Sequence, residues 1–115
     1  MRIVFVNGQY VPEDQAMVSV FDRGFLFADG VYEVSSVIAG KLVDNTRHLL
    51  RLQRSLSELD MSCPMSDEEL TRMQQQLIER NQLTEGMVYL QVTRGPADRD
   101  FAYPAEVNPS VVAFT

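Results

Sequence analysis

At 115 residues, with 45% hydrophobic and 23% charged side chains, the chain has the length and composition of one globular domain and is too apolar to remain disordered. Its net charge of −6 disperses the arginines among more numerous acids and excludes the basic stripe of a nucleic-acid binder. No apolar run approaches the roughly 20 residues of a membrane-spanning helix, and one cysteine with one histidine builds no structural metal site. The first apolar run meets Asn7-Gly8 after four residues, too early for a secretory signal, so a cytoplasmic protein is expected.

The elements follow in chain order. Residues 2–6 are β-rich, and Asn7-Gly8 is the strongest two-residue hairpin signal, with a return strand ended by Pro12. Ala16 to Val20 reads as another short strand, and Phe21 to Gly24 as a turn. Val31 to Ile38 is a strand that places Tyr32, Val34, Ser36 and Ile38 on one face and Glu33, Ser35 and Val37 on the other. Gly40-Lys41 is expected to fold the chain back.

Leu49, Leu52, Leu56 and Leu59 recur at helical spacing and predict a helix over about 46–59, with His48 flanking the leucine stripe and Arg51 at its border. Ser66-Asp67-Glu68-Glu69 is a capping box opening a second helix that ends near Asn81. Met87 to Thr93 is a strand with Val88, Leu90 and Val92 on one face; its other face (Tyr89, Gln91, Thr93) is polar enough to wall a cavity. Arg94 to Asn108 is a loop longer than compact domains usually carry, and Ser110 to Phe114 is a final strand. Strands, two helices and further strands predict an α+β two-layer sandwich with a largely antiparallel sheet.

Chemistry-bearing side chains are few. Arg94 and Arg99 bracket a Gly-Pro loop, where a planar guanidinium suits bidentate capture of a carboxylate. No nucleophile motif such as Gly-x-Ser-x-Gly is present. From the residues alone the reading is an anion-friendly cavity.

The run from Asp22 through Arg23, Gly24, Phe25, Leu26, Phe27, Ala28, Asp29, Gly30, Val31, Tyr32 and Glu33 to Val34, followed by Gly40 and by His48-Leu49-Leu50-Arg51-Leu52, resembles the N-terminal domain of fold-type IV pyridoxal-phosphate enzymes. That family holds D-amino acid aminotransferases, branched-chain aminotransferases and aminodeoxychorismate lyases. Tyr89 to Gly95, Arg99 and Tyr103-Pro104 are most similar to the D-amino acid branch. The resemblance implies pyridoxal 5'-phosphate as cofactor, gripped at its phosphate by Arg51. It implies that Tyr32 and Arg99 bind the substrate's α-carboxylate, Arg99 reaching into the neighbouring subunit of a homodimer, and that Glu33, His48 and Arg94 support the pocket. The small-molecule substrates would be a D-amino acid such as D-alanine and a 2-oxo acid.

Two departures qualify that picture. Where the D-amino acid branch typically has a histidine two places after the loop arginine, this chain has Phe101, which removes a donor and points toward apolar substrates or another carboxylate arrangement. The chemistry also needs a lysine that joins the cofactor, and the single lysine, Lys41, matches no catalytic position of the family. The expectation is therefore that residues 1–115 are the small N-terminal domain, without a catalytic residue of their own, and that a C-terminal domain carries the lysine. The rivals are an aminodeoxychorismate lyase or branched-chain aminotransferase, and a non-catalytic binding domain that kept the fold.

Overall fold

The computed structural model describes residues 1–115. Six strands form one sheet: β1 (Ile3–Val6), β2 (Gln9–Pro12), β3 (Gly30–Ile38), β4 (Lys41–Leu42), β5 (Gly86–Thr93) and β6 (Ser110–Phe114), in the order β2-β1-β6-β5-β3-β4. Every pairing is antiparallel. Three α-helices accompany it: the short α1 (Arg23–Phe27), then α2 (Asn45–Glu58) and α3 (Asp67–Arg80). The expected two-layer α+β sandwich with two main helices is what the chain forms.

The core lies between the sheet and the two long helices. Leu49, Leu52 and Leu56 of α2 and Leu70, Met73 and Leu77 of α3 pack with Phe5, Leu90, Val92, Val111 and Ala113 from three strands. Each is at most a few per cent exposed, so the helical leucine stripe and the inner face of the sheet bury one another. Ser66 and Glu69 close both halves of the capping box at the start of α3. At its end the Asn81 side chain exchanges hydrogen bonds with the backbone of Ile3, at 2.7 and 2.8 Å, which ties α3 to β1.

The opposite face of the sheet is open. Tyr32, Val34 and Ile38 of β3 and Met87 of β5 are exposed, and Tyr32, Tyr89 and Phe114 stack in a row with centroids 5.4 and 4.8 Å apart.

Three local readings are corrected by the structure. Ala16 to Val20 forms no strand: no strand of the sheet pairs with it, and its Met17, Val18 and Val20 are exposed, so their β-prone side chains join no ladder. Arg23 and Gly24, expected to lie in a turn, open α1, because Asp22 caps Gly24 through its side chain and Ala28 ends the helix in the left-handed region. The β3–β4 reversal uses Ala39 and Gly40, with φ of 51° and 72°, the positive pair a tight hairpin requires. Lys41 is thereby the first residue of β4, opposite Ile38.

The long loop is anchored at its root. Gly95 has φ of 91°, and a Cβ there would stand 1.9 Å from the Asn108 carbonyl oxygen, so only glycine lets the two ends of residues 95–108 cross this closely.

Candidate functional site

Strand alternation and one helix face bring three of the sequence-predicted residues together. β4 pairs only with Val37 and Ile38, which leaves the beginning of β3 as a free edge. Glu33 points from β3 toward the helix layer and is 5% exposed. From α2, Arg51 and His48 lie one turn apart on the same face and both turn to that carboxylate. Arg51 donates through Nε to Glu33 Oε2 at 2.9 Å and through Nη2 to Oε1 at 2.9 Å. His48 Nδ1 is 2.6 Å from the same Oε1; since an ionised carboxylate only accepts, Nδ1 is the donor.

The pair is asymmetric in burial. Glu33 is enclosed, while the Arg51 side chain is 65% exposed. Glu33 occupies Nε and one N–H of Nη2, so Nη1 and the outward edge of the guanidinium remain free to donate. This is a cation oriented from behind by a buried carboxylate and presented to solvent, and its planar edge fits a phosphate or carboxylate oxygen pair. The hydrogen bonds of Glu33, then its charge, hold the Arg51 pKa above its ordinary value. Burial pushes the Glu33 carboxyl up, but the hydrogen bonds and charges of Arg51 and His48 outweigh it and hold the group below the usual range.

Tyr32 is the immediate neighbour on the other face. It is 61% exposed and contributes to a hollow of about 260 Å³ walled by Gly24, Gly30, Tyr89, Gln91 and Thr93. The polar face of β5 therefore does line a cavity. Arg51 is not part of that wall. Tyr32 and Arg51 lie on either side of β3, and the chain by itself does not enclose them in one pocket. A larger hollow of about 740 Å³ lies against Phe5, Tyr10, Met17 and Met73 and includes none of these residues.

Arg99 is exposed on the loop after β5. Its guanidinium lies 5.2 Å from the ring centroids of both Phe27 and Phe101, and the ion pairs of the chain involve Arg2, Arg23, His48, Arg51 and Arg94 instead. Phe101, which supplies no hydrogen-bond donor, here supports the arginine by cation–π contact.

Arg94 is buried, and it reveals a cluster that the sequence reading missed. Asp29 Oδ2 accepts from Arg94 Nε at 2.7 Å and from Arg23 Nε at 2.8 Å. Both arginines are 3% exposed, and Arg94 also donates to the Leu59 carbonyl at 2.8 Å. Burial raises the Asp29 carboxyl, and the hydrogen bonds and charges of Arg94 and Arg23 reverse this and hold it low. Two arginines and an aspartate beside glycines in turn-rich runs were the available signal, but nothing in their spacing shows that they converge.

The lowered carboxyls fix a pH dependence. A group with a depressed folded-state pKa contributes stability that is complete above its unfolded value and is lost as pH falls through the folded one. The melting temperature is therefore expected to be flat between about pH 7 and 5 and to fall below about pH 4, the ordinary carboxylate range. Circular dichroism melts across that series check it; loss beginning above pH 5 would contradict the assignment to Asp29 and Glu33.

The fold and site define a class: an α+β domain that presents an oriented arginine and a tyrosine at one sheet edge. The chain belongs to the amino-transferase class IV family, whose sequence profile matches residues 30–115. It is 41% identical over 116 aligned positions to D-alanine aminotransferase of Staphylococcus aureus (strain MSSA476), covering 100% of this chain and 41% of that protein. The chain thus spans about two fifths of the length of the curated relatives it matches. Among solved structures it superposes on 4-amino-4-deoxychorismate lyase from Pseudomonas aeruginosa with a TM-score of 0.73 and 34% identity, over 96% of this chain and 38% of that one. A branched-chain amino acid aminotransferase from Escherichia coli gives a TM-score of 0.91 over 98% of this chain and 40% of that one. Its 20% identity supports the shared fold alone.

Proposed function

We propose that residues 1–115 are the small domain of a pyridoxal 5'-phosphate-dependent transaminase that moves an amino group from a D-amino acid, such as D-alanine, to a 2-oxo acid. The observation that carries this reading is the 41% identity to a D-alanine aminotransferase along the whole chain. The free edge of Arg51 belongs to the residue that the resemblance assigns to the cofactor phosphate, which supports the same reading. When bound, pyridoxal phosphate serves as an electron sink for the carbon that exchanges its amino group.

In this reading Arg51 binds the phosphate, and Glu33 and His48 hold its guanidinium at a fixed angle. Tyr32 and Arg99 bind the substrate α-carboxylate, and Arg94 keeps the loop root in place. Lys41 is a poor candidate for the amine that joins the cofactor. It pairs with Ile38, at the end of β3 away from Tyr32, and the intervening strand separates the two ends by about 20 Å. We assign that amine to a second domain of the intact protein, so the 115-residue chain alone is expected to be inactive. The intact enzyme is a cytoplasmic homodimer in this account, with Arg99 serving the partner subunit's site.

The test reconstitutes the intact protein with pyridoxal phosphate and follows 2-oxo acid formation from each enantiomer of alanine. Activity with D-alanine is expected; turnover of L-alanine alone would overturn the assignment. The 34% identity to a 4-amino-4-deoxychorismate lyase favours one second reading, in which pyruvate is released from 4-amino-4-deoxychorismate with no amino acceptor present.

A further inference from the structure

Residues 97–109 form no regular strand or helix, and the segment before them is held by a single bridge at Pro96, yet Arg99 must be held accurately if it is to receive a carboxylate. Misplacement of a clamping group by about an ångström is enough to lose its effect. An irregular segment of this length has large conformational freedom unless something pins it.

The pins come from inside the domain. Arg23, on the short helix α1, points its guanidinium inward and divides its donors. Nε goes to Asp29 Oδ2 at 2.8 Å, and Nη1 to the carbonyl oxygen of Asp100 at 2.6 Å. Asp100 directly follows Arg99, so this bond fixes the backbone at the clamp itself. Arg94, held by the same Asp29 oxygen, lies 3.8 Å from the centroid of the Tyr103 ring and fixes the loop a few residues further on. Arg23 also lies 4.6 Å from the centroid of Phe27, the ring against which Arg99 stacks. The loop is therefore gripped on either side of Phe101 by two buried cations that share one carboxylate.

We infer that Arg23, oriented by Asp29, is a positioning residue that fixes Arg99 for carboxylate binding. The inference rests on the reading of Arg99 as a substrate-carboxylate ligand. Arg23 is buried and touches no substrate; it acts through the Asp100 carbonyl. A lysine cannot replace it, because one ammonium lacks the planar fork that reaches both acceptors at once.

The experiment uses the intact protein and propionate, a carboxylate without an amino group, as a competitive inhibitor against D-alanine. Arg23→Gln is expected to weaken propionate binding about tenfold, the scale of one lost hydrogen bond to a charged group, and to change kcat less than about twofold. Arg23→Lys should behave like Arg23→Gln. In an Arg99→Ala background, Arg23→Gln should add nothing. Hydrogen exchange at residues 97–103 should quicken in Arg23→Gln while β3 and β5 keep their protection.

Equal losses with and without Arg99, full recovery by Arg23→Lys, or unchanged exchange in the loop would each overturn the inference. Propionate binding weakened by Arg99→Ala but untouched by Arg23→Gln would sink the positioning role alone. Propionate binding indifferent to Arg99→Ala would sink the carboxylate role of Arg99 and this inference with it. Where Arg23→Gln does not fold, Arg23→Lys carries the same comparisons.

Discussion

Asp29→Ala is expected to destabilise this domain by about 3–5 kcal/mol, the cost of removing one partner from a buried ion pair and leaving its cation uncompensated. The reasoning is local. Asp29 Oδ2 is the shared acceptor for Arg23 and Arg94, and both guanidiniums belong to residues 3% exposed, so neither can turn to water without opening the fold. For a domain of this size that cost corresponds to a fall of roughly 12–20 °C in the melting temperature. Glu13→Ala provides the contrast. It breaks an ion pair to Arg2 of 2.8 Å whose side chains are 48% and 41% exposed, and it should move the melting temperature by no more than about 2 °C. Thermal denaturation of the two variants beside the parent sequence checks both. A small effect at Asp29 would mean that the buried cluster is not what holds the loop root.

Arg51→Ala is expected to weaken pyridoxal phosphate binding by about 10- to 100-fold in the intact protein, the scale of lost charge-assisted hydrogen bonds to a phosphate. Glu33→Gln should weaken it less, because the guanidinium remains and only its orientation from behind is relaxed. That ordering separates direct contact from positioning. If the two variants lost affinity equally, the free edge of Arg51 would not be the contact that matters. Absorbance titration of the cofactor into each variant supplies the numbers.

The regular elements were legible because their signals are local. The leucine spacing of α2, the Ser66–Glu69 box of α3, the Asn7-Gly8 turn and the alternation of β5 each depend on residues close in sequence. The resemblance singled out Arg51, Tyr32 and Arg99, and the structure adds that His48 and Arg51 converge on the Glu33 carboxylate. Less legible was whatever depends on distant partners. Ala16 to Val20 has the composition of a short strand, but a strand needs a neighbour and no strand of the sheet pairs with this segment. Arg23 and Arg94 lie far apart in sequence and meet only because β3 and β5 pair from Gly30 and Thr93 onward and carry Asp29 between them. The reversal at Ala39-Gly40 was misplaced by one residue, since alanine in the left-handed region has no sequence signature comparable to that of asparagine or glycine. Alternation along β3 puts Tyr32 and Glu33 on opposite faces, but that Arg51 joins Glu33 while Tyr32 walls a separate hollow is visible only in the structure.

The most direct test is a structure of the intact protein bound to pyridoxal phosphate and a substrate carboxylate. A phosphate oxygen is expected within about 3 Å of Arg51 Nη1 or Nη2, with the Arg51–Glu33 pair intact behind it and the carboxylate between Tyr32 and an arginine at position 99. A phosphate held by other residues, with Arg51 still turned to solvent, would contradict it.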